Sequence, residues 1–140
     1  MPINHAIVLD NRPEAEVSTS NFKMVTAETP ALQDGQVLVK NHYLSLDPYM
    51  RGRMNAGKNY AQPQPLGEPM IGGTVGEVAE SKNAKFKVGQ TVQCMGGWQA
   101  YSLINADMPG ALKHVNAEKI SMSHYLGAVG MPGVTAWYGL

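Results

Sequence analysis

The stretch Gln36-Val37-Leu38-Val39-Lys40-Asn41-His42-Tyr43 runs straight into Leu44-Ser45-Leu46-Asp47-Pro48-Tyr49-Met50-Arg51-Gly52-Arg53-Met54. Its first part predicts a strand over 36–43. Val37, Val39 and Tyr43 fall on one face, Leu38, Lys40 and His42 on the other, and β-branched residues are common. Asp47-Pro48 stops the strand, because proline removes a donor and fixes the backbone. Beyond the break the chain turns and displays Tyr49, Arg51 and Arg53. A phenol and two guanidiniums can bind anionic or carbonyl oxygens. On chemistry alone the segment reads equally as a turn carrying surface arginines.

Outward from this segment the pattern stays β. Ala6–Leu9 predicts a first short strand, ended by Asp10-Asn11-Arg12-Pro13. Phe22–Thr26 predicts a second. Met70–Glu80 is β-flavoured but glycine-rich, and glycine inside a strand pattern marks a bulge, a bend or close backbone approach. Thr91–Met95 and Trp98–Ile104 predict two more strands, with Trp98 assigned to the core. Residues 57–69 carry Pro63, Pro65 and Pro69 and read as a long surface loop, of a length that is often functional. Helical signals come late: a short helix over 121–126 and a second from Gly133 to Leu140, with Val134, Trp137, Tyr138 and Leu140 on one side. That last helix has no cap and no polar tail. The chain therefore reads as the N-terminal piece of a longer protein.

Composition narrows the classes. The 140 residues carry 11 Lys+Arg and 11 Asp+Glu, so net charge is zero and nucleic-acid binding by sheer basicity is excluded. The charged share of 16% against a hydrophobic share of 44% describes a folded, rather apolar globular chain, not a disordered one. One cysteine, Cys94, excludes an internal disulfide framework and any cysteine-rich zinc site, and predicts a buried structural thiol. No run is long and apolar enough for a signal peptide or a membrane span, so the expected setting is cytoplasmic, without membrane attachment.

Most catalytic constellations fail on spacing. The carboxylates are scattered and form no acid–base pair. His5, His42, His114 and His124 show no ligand-pair spacing, so no metal is expected. No serine sits in a nucleophile elbow. Gly127-x-x-Gly130-x-x-Gly133 imitates a phosphate loop, but Pro132 lies inside it and no strand leads into it. A dinucleotide-binding half would lie beyond Leu140.

The twelve-residue run from Tyr43 to Met54 closely resembles the signature of zinc-independent medium-chain dehydrogenase/reductases, in the leukotriene B4 dehydrogenase/prostaglandin reductase branch. That branch includes plant double-bond reductases and bacterial curcumin reductases. The order around it also fits: Asn11-Arg12-Pro13, Asn21-Phe22, Gly35-Gln36-Val37-Leu38-Val39, Gly72-Gly73-Thr74-Val75, Gly96-Gly97-Trp98-Gln99, and Leu126-Gly127 through Gly130-Met131-Pro132-Gly133 to Thr135-Ala136. Where relatives usually carry Asp, this chain has Gln90, in a turn. The resemblance spans essentially the whole chain and about 40% of a typical two-domain family member.

The resemblance implies a mainly β fold: a GroES-like, partly open antiparallel barrel with a few short helices, truncated before a Rossmann domain. Residues 1–126 would form the catalytic, substrate-side domain. Residues 127–140 would begin the helix that leads into the NADP-binding domain. The implied activity is NADPH-dependent reduction of the carbon–carbon double bond of α,β-unsaturated ketones and aldehydes, in a homodimer, with this fragment inactive alone. By position, Tyr60 matches a tyrosine that hydrogen-bonds the substrate carbonyl. Tyr49 lies by the cofactor and the active-site cleft, as a second catalytic candidate. Met131 and Thr135 fall beside the nicotinamide, and Met95 falls where relatives contact substrate. The zinc-binding residues of metal-dependent relatives are missing. A rival reading keeps the fold and drops the chemistry: a non-enzymatic GroES-like binding or co-chaperonin module.

Overall fold

A computed structural model describes residues 1–57 and 61–140. Seven antiparallel strands and a few helical turns make up the described chain. β1 (Ile3–Leu9) and β2 (Phe22–Glu28) form a hairpin-like pair, in register from Ile3 opposite Glu28 to Leu9 opposite Phe22. The main sheet holds β3 (Gln36–Leu44), β4 (Thr74–Ser81), β5 (Thr91–Cys94), β6 (Tyr101–Asn105) and β7 (Leu112–His114), in the order β6-β3-β4-β5-β7. The free edge of β1 joins this body. Ile7 N–H donates to Trp98 O at 2.8 Å, Ala100 N–H to His5 O at 2.9 Å and Met70 N–H to Ile7 O at 3.0 Å. The sheet thus curls into the partly open antiparallel barrel that the resemblance implies, with short helices at its mouth.

Two apolar clusters fill it. Val37, Val39, Val78, Phe86, Val92, Cys94 and Leu112 pack on one side of the main sheet. Leu9, Met50, Met54 and Met70 form the other cluster, against Phe22, Tyr49 and Trp98. Burying such side chains contributes roughly 1.5–3 kcal/mol each. Trp98 thus joins the second cluster as expected, although its Nε1 is buried without a partner.

Several expectations shift. β3 keeps its alternation, with Val37 and Val39 together in the first cluster, but Leu38 is buried as well, and the register with β4 slips between Leu38 and Val39 and again between Asn41 and Tyr43. Gly76 permits the second slip: a Cβ there would overlap the Lys40 carbonyl, so only glycine lets the two backbones approach. Trp98 and Gln99 lie before β6 and serve β1 instead. The turn expected after Pro48 is a five-residue helix, α1 (Tyr49–Arg53). The 121–126 helix is a 3-10 turn, Met122–Leu126. The last helix, α2 (Met131–Gly139), starts two residues early, since Pro132 is tolerated in a first turn. β7 and a 3-10 turn at Thr19–Asn21 carried no pattern long enough to read. No described helix is long and apolar enough to cross a membrane.

Candidate active site

α1 builds the centre of the site. Met50 and Met54 point down into the second cluster at 4% and 3% exposure. A helix advances about 100° per residue, so Tyr49 and Arg53, at i and i+4, share a different face. That face lines a cleft of about 390 Å³. The other walls come from distant segments: Ser45 and Asp47 before the helix, Ile71 and Gly73 before β4, Gln93 and Met95 at β5, Tyr125 and Leu126 in the 3-10 turn, and Met131 and Pro132 at the start of α2.

The structure therefore gathers Tyr49, Met95 and Met131, three of the residues proposed from sequence, around one opening. Thr135 does not line it. Its hydroxyl donates to Met131 O at 2.8 Å, one helical turn back. Tyr60 lies outside the described residues. Sequence reasoning missed Gln93, Ile71 and Tyr125 as wall residues, because nothing in their local pattern marks them. Gln93 Nε2 donates to Tyr125 O at 3.2 Å and so ties β5 to the 3-10 turn.

The two signature arginines separate. Arg51 is structural: Nη2 donates to Ala15 O at 2.6 Å and Nη1 to Asn55 Oδ1 at 2.8 Å. Arg12 does a similar task, bridging Met54 O at 2.8 Å and Gln64 O at 2.9 Å, and so fastens the end of α1 to the proline-rich segment. Arg53 instead faces the cleft.

Behind Met95 lies a buried polar knot. Thr74 is fully buried. Its Oγ1 accepts from Gly96 N–H at 3.2 Å and lies 3.4 Å from both Cys94 O and Cys94 Sγ. Ser102 Oγ donates to Gly96 O at 2.7 Å, and Asn41 Nδ2 donates to Ser102 Oγ at 2.6 Å. These bonds set the height of the Met95 turn. Burial pushes the Cys94 thiol above its ordinary pKa, and the Thr74 hydroxyl partly opposes that rise. Cys94 is a buried structural thiol, as expected. Among the described residues no group of three His, Cys, Asp or Glu side chains could hold a metal ion.

This fold and cleft define a class. Residues 5–112 match the family described as the N-terminal domain of oxidoreductase, and the chain belongs to it. Among curated relatives it is 39% identical over 137 residues to the NADPH-dependent curcumin reductase of Escherichia coli (strain K12), covering 98% of this chain and 39% of that protein. It is 41% identical over 137 residues to the 2-alkenal reductase (NADP(+)-dependent) of Nicotiana tabacum, covering 97% and 38%. Among solved structures it matches CurA from Vibrio vulnificus in complex with NADPH, with a TM-score of 0.88 at 40% identity over 97% of this chain and 40% of that one. The chain spans about two fifths of the length of the relatives it matches.

Proposed function

We propose that the complete protein carrying this chain reduces the carbon–carbon double bond of α,β-unsaturated ketones and aldehydes with NADPH. Residues 1–126 are then its substrate-side domain, and residues 127–140 begin the helix leading to a nucleotide-binding domain. The observation that carries this reading is the cleft over α1. It sets a phenol, Tyr49, and a guanidinium, Arg53, among the apolar walls Ile71, Met95, Leu126 and Met131. The named activities of the relatives favour it over a co-chaperonin module.

The residues fit the flat nicotinamide end of the cofactor. Met131 and Pro132 offer an apolar surface beside Tyr49. The Thr135 hydroxyl has its proton committed to Met131 O, so it can only accept, as from a carboxamide N–H. Bound NADPH supplies hydride for the β-carbon of the enone. The chain's own task is orientation and charge. Met95 and Ile71 hold the enone and exclude water. Tyr60 donates its hydroxyl proton in a hydrogen bond to the oxygen that becomes the enolate, with Tyr49 as the second donor at the cofactor side. The protein acts as a cytoplasmic homodimer in this reading. The resemblance supports the dimer, and the lone cysteine with no long apolar segment supports the compartment.

The test is loss of NADPH absorbance by the complete protein across a panel of enones and enals, repeated with NADH. Mass spectrometry should find two hydrogens added across the double bond and the carbonyl intact. Reduction of the carbonyl instead, or no turnover with any enone, overturns the reading.

A further inference from the structure

The sequence holds nine methionines, and the fold sorts them by burial. Met50, Met54 and Met70 are buried at 4%, 3% and 0% exposure and belong to the second apolar cluster. Met122 is half-buried. Met1, Met24, Met95, Met108 and Met131 are exposed. Of these five, Met95 and Met131 line the cleft over α1. The function proposed above asks only that the two be apolar. It makes no use of the thioether itself, a polarisable sulfur whose lone pair is open to oxidation.

Met95 cannot leave the wall. It is 56% exposed, yet its backbone is held from behind. Gly96 N–H donates to Thr74 Oγ1 at 3.2 Å, and Gly96 O accepts from Ser102 Oγ at 2.7 Å. A Cβ on Gly96 would overlap Thr74 Oγ1, so the chain after Met95 has no room to shift towards the sheet. The Met95 side chain therefore lies on the open side. Its Sδ rests against Gly73, 3.9 Å from where a Cβ of that residue would stand, and Gly73 is itself a wall of the cleft. Met131 opens α2 at 65% exposure, on a helix surface where a flexible side chain has other rotamers to adopt. The chain's one cysteine is a poor competing target. Cys94 is buried, and burial raises its thiol above the ordinary pKa, so the reactive thiolate is scarce.

We propose that Met95 is an oxidation site through which hydrogen peroxide reversibly shuts the cleft. The sulfur gives an electron pair to one peroxide oxygen. An S–O bond forms, the O–O bond breaks and water leaves, so the thioether is oxidised to a sulfoxide and the peroxide is reduced. The sulfoxide is a strong acceptor that holds water where the carbon skeleton of an enone would lie, and stripping that water opposes binding. A methionine sulfoxide reductase reverses the step with a dithiol: the oxygen leaves as water and the dithiol becomes a disulfide. This regulation rests on the enone-reductase reading above.

The complete protein is treated with hydrogen peroxide. Peptide mass spectrometry follows each methionine, while turnover of benzylideneacetone with NADPH and its binding by calorimetry are measured. Met95 should gain one oxygen, Met50, Met54 and Met70 should stay unmodified, and kcat/KM should fall roughly tenfold through KM. Met95→Leu should keep its own untreated kcat/KM through the same exposure. Met24→Leu and Met108→Leu should lose activity to peroxide as wild type does. Methionine sulfoxide reductase with dithiothreitol should restore the wild type. Three results overturn the assignment: Met95 unmodified at a dose that oxidises Met24 and Met108, protection by Met131→Leu in place of Met95→Leu, or an unchanged KM with Met95 fully converted. Calorimetry separates the two readings. Untreated protein that binds benzylideneacetone without reducing it, and loses that binding as Met95 oxidises, sinks the reductase reading and leaves Met95 as assigned. Turnover that survives complete oxidation of Met95 does the reverse.

Discussion

Thr74→Val removes one hydroxyl from a fully buried position and leaves the side-chain volume nearly unchanged. The hydroxyl accepts from Gly96 N–H at 3.2 Å and can donate its own hydrogen to Cys94 O or Sγ. Valine leaves the Gly96 N–H buried and unpaired, a loss of roughly 1–3 kcal/mol. The added methyl recovers up to about 0.8 kcal/mol by burial. The net cost is therefore roughly 0.2–2 kcal/mol, or a fall in Tm of about 1–8 °C at roughly 4 °C per kcal/mol for a domain of this size. Two local readouts accompany it. The Gly96 amide should lose protection against hydrogen exchange, and Cys94 should react more slowly with a thiol reagent. Without the hydroxyl, burial alone acts on the thiol, so its pKa rises further. Denaturant melts, exchange and thiol-labelling rates measure the three effects. An unchanged midpoint together with a still-protected Gly96 amide would refute the claim that this hydroxyl holds the Met95 turn.

On the proposed reductase reading, Tyr60→Phe in the complete protein should lower kcat roughly 5–150-fold, about 1–3 kcal/mol of transition-state stabilisation, without loss of fold. If Tyr49→Phe is crippled while Tyr60→Phe keeps wild-type kcat and KM, the donor role moves to Tyr49. Gly76→Ala should destabilise by roughly 1–3 kcal/mol or more, because the new Cβ meets the Lys40 backbone carbonyl and neither strand can yield cheaply. Equal Tm for the variant would contradict the tight β3–β4 approach. The raised thiol pKa of Cys94 sets a pH dependence with a definite sign. The unfolded thiol ionises at about 8.5 and the folded one higher, so this stabilisation is present below that value and is lost as pH rises through the folded pKa. Urea midpoints should decline across the alkaline range in wild type, and the decline should be smaller in Cys94→Ser.

Local rules were enough for most of the strands, though not for the three residues of β7. The apolar runs at 6–9 and 36–43 and the stop at Asp47-Pro48 depend on neighbours in sequence, which is why they were legible. The lone cysteine bounded the chemistry by composition alone, and the segment from Tyr43 to Met54 carried its resemblance in a continuous string. The helix inside that string was not legible, because five residues around a glycine give no periodicity to read. Its existence changed the meaning of the arginines. In a turn both are displayed. In a helix Arg51 and Arg53 sit about 200° apart, so one turns to the loop at 13–15 and the other to the cleft. The cleft itself belonged to the tertiary structure. Its walls come from segments near 47, 71, 94 and 126, brought together by sheet order and by β1 threading between two loops. Pairing between strands far apart in sequence is decided by the total burial the whole arrangement achieves, a quantity that no local window contains.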